Sequence, residues 1–442
     1  MLTNYLTLAL KVLRRNPFYT FVSLFGISFT LLILMLLTSL TDAMLGANPP
    51  MSKADRFLVM PMLERTRTET DTLLTVDTIQ LASGAVRYDT TASYNDEIVS
   101  TSNGPISYSF LDENMRNIES AVNYTFFQNG QFTDVYLDGR KLILETYYAD
   151  AAYFEVLDFV FLHGQPFGTA DVEQGNKVAV ITDKTAKGYF GRVDASIIGE
   201  PMTLGRETFR VEGIVARPAS DNPAVQGDII LPVTTADARV LDRKEVNGMF
   251  MAIFEAASPA GREAIKAEVD FIADNYQFPA DSNYDAMTLF SGSGTEVLAS
   301  MVTGEKDTKK AVRLLFIPVV SLLVLFLSLP LINLINLNSS RVVERKAEIG
   351  VRKAFGADGK AILFQFLFEN LVITFIGALI GFLLAYGMMR FINANELLEM
   401  VRLQLSPKIV GYFLLVTLLF GILSGVLPAW RMSRLNISTA LR

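Results

Sequence analysis

Four stretches of this chain stay apolar for longer than a globular core requires. They cover residues 18–41, 314–337, 361–389 and 410–430, and each reaches the ~20 helical residues that cross a bilayer. The first carries no charge and follows Lys11, Arg14 and Arg15, a basic lead like that of a signal peptide. Its apolar core exceeds the ~7–15 residues of such a peptide, so it is expected to remain as an uncleaved anchor. Ahead of it, Leu2, Tyr5, Leu6, Ala9 and Leu13 recur at helical spacing, blurred by Leu8 and Leu10. Residues 1–17 therefore predict an amphipathic helix lying on the membrane surface.

The interval 42–291 has a different pattern. Short β-rich runs occur at Phe57–Met60, Val135–Leu137, Leu142–Leu144, Lys177–Ile181, Thr208–Val215, Gly227–Leu231 and Met249–Phe254. Turn dipeptides such as Asp138-Gly139 separate several of them. A helical pattern spans Pro259–Asn275, with Ser258 placed to cap and Ile265, Val269 and Ile272 sharing a face. A mixed α+β domain of two subdomains is expected. Residues 292–313 are polar and lead without a proline into the second apolar run. They predict a stalk helix continuing out of the membrane, with Gly292, Gly294 and Gly304 as its weak points.

Charge sets the orientation. Lysines and arginines concentrate before the first run, in 338–360 (Arg341, Arg345, Lys346, Arg352, Lys353, Lys360) and in 431–442 (Arg431, Arg434, Arg442). The positive-inside rule assigns those three segments, and so both termini, to the cytoplasm. The large domain and the short linker 390–409 fall outside. The fold class expected is thus membrane α-helical, four spans, with a large α+β extracytoplasmic domain between the first and second.

Composition removes several functions. Half of the 442 residues are hydrophobic and 19% are charged, in keeping with a chain that is partly membrane. The net charge of −7 argues against nucleic acid as a partner. The absence of cysteine excludes disulfides, thiolate zinc sites and cysteine nucleophiles. With His163 as the single histidine, no multi-histidine metal site forms within one chain; the Gly- and Pro-containing stretch around it predicts a surface turn. The acidic residues show no metal-loop spacing, and no nucleophile is paired with a base. Neither a catalytic role nor a resident cofactor or metal is expected.

Two segments carry a family likeness. The first is Val342-Val-Glu-Arg-Lys-Ala-Glu-Ile-Gly-Val-Arg-Lys-Ala-Phe-Gly-Ala357, followed by Gln365-Phe-Leu-Phe-Glu-Asn370, Gly377-Ala-Leu-Ile-Gly381 and a C-terminal Pro428-Ala-Trp-Arg-Met-Ser-Arg-Leu-Asn. The second runs through Tyr153-Phe-Glu-Val-Leu, His163-Gly-Gln-Pro-Phe, Val178-Ala-Val-Ile, Ala186-Lys-Gly-Tyr-Phe-Gly191, Ile198-Gly-Glu-Pro and Phe209-Arg-Val-Glu-Gly-Ile-Val215. Together they resemble ABC-transporter permeases of the MacB/FtsX type, the first block their FtsX-like permease portion and the second their MacB-like periplasmic domain. Residues 44–145 match only weakly.

The resemblance implies a bacterial inner-membrane subunit that transmits force from a cytoplasmic ATPase to the outside. Its partners would be an ABC ATPase, a second permease copy or paralogue, a periplasmic adaptor and the lipid bilayer. The expected cargo is an antibiotic, a peptide or a lipoprotein. The competing reading is an FtsX-like regulator that activates a cell-wall hydrolase. No Gly-x-x-x-x-Gly-Lys-Ser/Thr motif occurs: around Gly359-Lys360, Ala354 and Ala361 replace the glycine and hydroxyl that phosphate and Mg²⁺ need. ATP and Mg are therefore expected on a separate polypeptide.

The resemblance further implies that Glu344, Arg345, Glu348, Ile349, Gly350, Arg352, Lys353 and Gly356 form the ATPase-coupling segment. The residues themselves suit a surface helix: Val343, Ala347 and Val351 lie at i, i+4 and i+8, Glu348 can pair with Arg352, and Gly356 can end the helix. Glu369 near the cytoplasmic end of the third span costs less than the ~2.5–3.5 kcal/mol of a mid-bilayer charge. Asn370 or Lys360 could share it, in a packing or conformational role. Gly377/Gly381 and Gly421/Gly425 permit close helix contact, either within one bundle or between copies. Pro318 and Pro330 suit a second span that bends.

Overall fold

The computed structural model describes residues 17–80, 86–137, 139–218, 222, 224–344, 349–351, 354–356, 358–395, 397–398 and 401–433. The surface helix expected over 1–17 thus lies almost wholly outside the described residues, as does most of the tail 431–442. The chain divides into two compact units. One holds residues 47–218 and 222–312; the other holds the flanking segments through 46 and from 313.

The first unit is built on one eleven-stranded sheet. Its strands are β1 (Phe57–Gln80), β2 (Val86–Gly104), β3 (Ala121–Leu137), β4 (Arg140–Ala149), β5 (Phe161–Gly164), β6 (Val178–Thr182), β7 (Pro201–Leu204), β8 (Glu207–Val215), β9 (Ile229–Pro232), β10 (Phe250–Ala256) and β11 (Ala286–Gly292). They lie in the order β11-β1-β10-β3-β4-β9-β6-β8-β5, with β2 against β1 and β7 against β8. The pairs β4–β9 and β6–β8 are parallel. Two subdomains were expected; one continuous sheet is found, because the β3–β4 hairpin pairs with β10 on one side and β9 on the other. Two cores lie towards the sheet's ends, one gathering Leu58, Met60, Phe126, Phe250 and Phe254 and the other Ala179, Ile181, Val211, Ile214 and Ile229, while a third, with Val59, Phe127, Tyr147, Val180 and Ile253, draws on strands of both.

The family-like motifs are core-forming segments. Tyr153 is fully buried and donates its hydroxyl hydrogen to the Ala224 carbonyl at 2.7 Å. Phe154 meets Phe159, Phe161 and Phe167 edge-on. His163 does not sit in a turn: it lies half-buried on β5, opposite Ile214 of β8. The next residue has to be glycine, because Gly164 has φ +70° and a Cβ there would stand 2.2 Å from the Glu212 carbonyl oxygen.

The helical pattern near 259 forms α2 (Arg262–Asp274), the second long helix after α1 (Pro17–Leu45). Ile265 and Val269 are buried beneath it, and Ile272 packs at the edge of the same core. Ser258 occupies the cap position of the preceding 3₁₀ turn without donating or accepting a capping bond. The stalk expected over 292–313 is not one helix. Ser293 and Glu296 form a reciprocal capping box, starting α3 (Gly294–Thr303). Gly304 then closes it in the left-handed conformation, φ +69°. Asp307 accepts from the N–H groups of Lys309 and Lys310 and begins α4 (Thr308–Glu344). The weak point at Gly304 decides the matter against continuity.

The second unit consists of α1, the greater part of α4, α5 (Gly359–Ala394) and α6 (Pro407–Ser433). All four helices are long and apolar enough to cross a membrane. Ile27, Leu31, Leu34 and Met35 of α1 pack against Ile373, Ala378, Ala385 and Met389 of α5 and Phe413 and Phe420 of α6. Hydroxyls inside these helices bond backwards to their own preceding turns, as Thr30 does to Gly26, Thr38 to Leu34 and Thr417 to Phe413. That satisfies each hydroxyl where no water is available. In the linker before α6, the Asn393 amide donates to the Leu403 carbonyl and accepts from the Leu403 N–H, at 2.8 and 3.0 Å.

Asp150 is an enclosed acid of the sheet domain. Its carboxylate accepts from Thr125 Oγ1, the Phe126 N–H and the Tyr153 N–H at 2.6, 2.8 and 3.0 Å. Burial outweighs those bonds and the nearby Arg116, and pushes its pKa up to about 6. A folded-state value above the ordinary 3.8 means that the protonated form favours folding. This contribution is complete below pH ~4 and is lost as pH rises through ~6. Melting of the whole protein in detergent should therefore show a fall of roughly 5 °C across that window for the wild type, absent in Asp150→Asn. Identical pH profiles for the two proteins would contradict the assignment.

Candidate functional site

The site implied by the resemblance lies where α4 ends and α5 begins. Arg345, Glu348, Arg352 and Lys353 lie outside the described residues, and Glu344 is the last residue of α4. What is described between them is informative. Ile349 is 1% exposed and Gly350 is buried, whereas Phe355 is 88% exposed. The Phe355 N–H bonds the Val351 carbonyl at 3.1 Å, and Gly356 follows with φ +89°. One helical turn therefore anchors Ile349 inward, presents Phe355 outward and stops at a left-handed glycine.

A polar knot links three of the membrane helices. The Asn338 amide of α4 donates to Asn370 Oδ1 of α5 at 2.7 Å and to the Ser424 carbonyl of α6 at 3.2 Å. The Asn370 amide in turn donates to the Gly421 carbonyl and to Ser424 Oγ, at 2.7 and 2.8 Å. Thr374 closes back onto the Asn370 carbonyl at 2.9 Å. One turn before Asn370, the Gln365 amide donates to Glu369 Oε1 at 3.0 Å, both residues being buried. Lys360 is exposed, nine residues or ~13 Å from Glu369 along the helix, so it does not share that charge. Asn370 is committed to α6 instead.

The glycine pairs have distinct seats within the chain. A Cβ on Gly377 would lie 2.7 Å from Ile27 Cγ2, and one on Gly381 would lie 2.7 Å from the Ser28 carbonyl oxygen, both on α1. On α6, a Cβ at Gly421 would lie 2.8 Å from Leu371, and one at Gly425 would lie 2.8 Å from the Asn370 amide. Both pairs thus bring helices of one chain together. Gly425 also leaves the space that the Asn370 side chain fills.

Sequence reasoning missed Asn338, Gln365, Thr374 and Ser424, and did not single out Phe355. A signal existed for the amides. Asn338 closes an apolar run and Gln365 stands four residues before Glu369, where polar groups within a span need partners. Among the described residues, no cluster of three or more His, Asp or Glu could hold a metal ion.

By its architecture the chain is a four-helix membrane subunit with a large extracytoplasmic domain inserted after the first helix. It belongs to the family defined by a MacB-like periplasmic core domain, matched at residues 20–271, and an FtsX-like permease C-terminal region, matched at 320–437. It is thus an inner-membrane protein of the permease class with an extracytoplasmic domain. Among similar proteins, the macrolide export ATP-binding/permease protein MacB of Bdellovibrio bacteriovorus is 28% identical over 283 residues, 64% of this chain and 41% of that protein. Its namesake from Acinetobacter baylyi is 30% identical over 291 residues, 65% and 41% respectively. The chain spans about two fifths of the length of these relatives. Among solved structures, the periplasmic region of MacB from Actinobacillus actinomycetemcomitans superposes with TM-score 0.34 at 14% identity, covering 45% of this chain and 84% of that one. The extracellular domain of the noncanonic ABC-type transporter YknZ gives 0.32 at 12%, covering 41% and 88%.

The close helix approaches make a contrast that can be measured. Gly381→Val should lower bundle stability by about 1–3 kcal/mol, since its backbone neighbour has nowhere to move. Gly411→Val, at a position with open space around its Cβ, should be near neutral. Thermal unfolding of the two variants in the same detergent checks this; equal losses would show that the α1–α5 contact is not as tight as described.

Proposed function

We propose that this chain couples ATP hydrolysis on a separate ABC ATPase to movement of the extracytoplasmic domain, and that this movement drives export or release of a substrate. The ATPase carries ATP and Mg; two permease copies or paralogues complete the transporter. The cargo is of the antibiotic, peptide or lipoprotein class, taken up from outside the inner membrane rather than led through a pore.

The observation that supports this reading is the knot at Asn338. Ten residues separate it from Ile349 in the segment that ends at Phe355, on the side that the basic residues assign to the cytoplasm. The whole of α4 runs for 37 residues, from Glu344 back to Thr308, about 55 Å as a helix. Much of its apolar length is exposed, including Ile317, Val324, Phe326 and Leu329. Among the described residues, a narrow line of Leu323, Leu327, Leu331 and Leu334 joins the apolar cluster of the other helices. A helix so held can tilt or slide at small cost. In this reading Phe355 is the aromatic anchor inserted into the ATPase, and Glu348 and Arg352 frame it. Exposed aromatics of this kind carry a large share of interface energy.

Co-expression with candidate ATPases, purification through a tag on the permease and an ATP-hydrolysis assay test the proposal. An ATPase should co-purify with the wild type. Phe355→Ala, or Glu348→Lys with Arg352→Glu, should cut its retention or stimulation by about tenfold. If no ATPase associates with the wild type, or the variants behave like it, the chain is a sensor or scaffold and not a force transmitter.

A further inference from the structure

Past Thr66, β1 has no partner but β2, and the two strands run on as a free antiparallel ribbon from Glu69/Glu97 to Gln80/Val86. Twelve residues of β1 at ~3.4 Å each give it a length of about 40 Å. Among its described side chains none joins a hydrophobic core. A two-stranded ribbon with no third layer is marginal in water, so its composition is informative.

The register places Glu69, Asp71 and Asp77 with Glu97 on one face, interrupted by Leu73 and Thr75 and with Glu69 ion-paired to Arg67. The other face carries Thr72 opposite Tyr94, Leu74 opposite Ala92 and Val76 opposite Thr90, with Tyr88 beyond and Asp96 opposite Thr70. Tyr88, Tyr94, Leu74 and Val76 are 69%, 72%, 64% and 54% exposed. Residues 69–97 hold six carboxylates against one arginine, Arg87, a net −5 in a chain whose total is −7. Like charges directly opposite on a sheet face destabilise it. The outer edge of β2 contains no lysine and no proline, the usual protections of an exposed edge.

We propose that this ribbon is a docking arm for a basic polypeptide segment, which adds as an extended strand along the β2 edge. An added strand shares the alternation of its neighbours. Its basic residues would then lie on the face of Glu97, Glu69, Asp71 and Asp77, and its apolar residues beside Tyr94 and Tyr88. The occupant is therefore a segment of alternating basic and apolar residues. From Glu69 to Asp77 the carboxylates extend over ~27 Å, too far for one cation to bridge but the reach of about eight extended residues. A second copy of the ribbon would bring acid against acid, which the same cross-strand repulsion disfavours.

The test uses the full chain in neutral maltoside micelles and a fluorescein-labelled decapeptide of alternating Lys and Val. A second peptide has the same composition in two blocks, and a third has Glu in place of Lys. Fluorescence anisotropy should give binding of the alternating peptide at least about tenfold tighter than either control. Half-molar salt, with a screening length of ~4 Å, should weaken it markedly. Glu69→Gln/Asp71→Asn/Asp77→Asn/Glu97→Gln should lose about tenfold in affinity. A variant with 70–96 replaced by Asn-Gly should not bind, yet should melt with the wild-type domain transition, which separates lost docking from lost folding. Equal affinity for the three peptides, or unchanged binding by the neutralised or trimmed chain, would overturn the proposal. So would loss of self-association, rather than of peptide binding, on trimming, since that would make a second copy the occupant.

Discussion

A primary amide inside a hydrocarbon layer must find partners within the protein, because water is not there to supply them and each unmet group costs several kcal/mol. Asn338 finds them on two other helices, at Asn370 and at the Ser424 carbonyl. The rest of the membrane unit follows from that requirement. Gly425 must be glycine to leave room for Asn370, and Gly421 must be glycine to bring α6 close enough for its carbonyl to be reached. Gly377 and Gly381 seat α1 further along α5. Three helices thus pack tightly, and the fourth is tied to them by one polar junction and a narrow leucine line.

This asymmetry gives α4 its place in the proposed mechanism. A helix held strongly at one end and weakly along its length transmits displacement better than it resists it. The glycine break at 304 and the restart at Asp307 confine the rigid element to residues from 308 onward. The proposed docking arm on β1 and β2 belongs to the extracytoplasmic domain and would present a bound segment to whatever movement arrives.

The four spans and the α+β character of the inserted domain could be read from apolar run length and alternation, because both signals are local. A coupling role for 344–356 was implied by resemblance alone, since its charge pattern suits any positive-inside loop. Three features were not legible. The ribbon over 69–97 is rich in Thr, Ser and Asp, and without a buried face it leaves no hydrophobic alternation to detect. The polar knot depends on which helices meet, so Asn338 and Ser424 acquire meaning only in three dimensions. The stalk failed as a single helix because one left-handed glycine outweighs a favourable flanking pattern.

The most direct test of force transmission through the knot uses the absence of cysteine in this chain. A single cysteine at Lys309 can carry the one spin label in the permease, read in a nanodisc complex with its ATPase with and without trapped nucleotide. The account predicts a nucleotide-dependent spectral change in the wild-type background. That change should be lost in Asn338→Leu even though the ATPase still binds. A change that persists in full without the Asn338 amide would contradict the claim that α4 is driven through that junction.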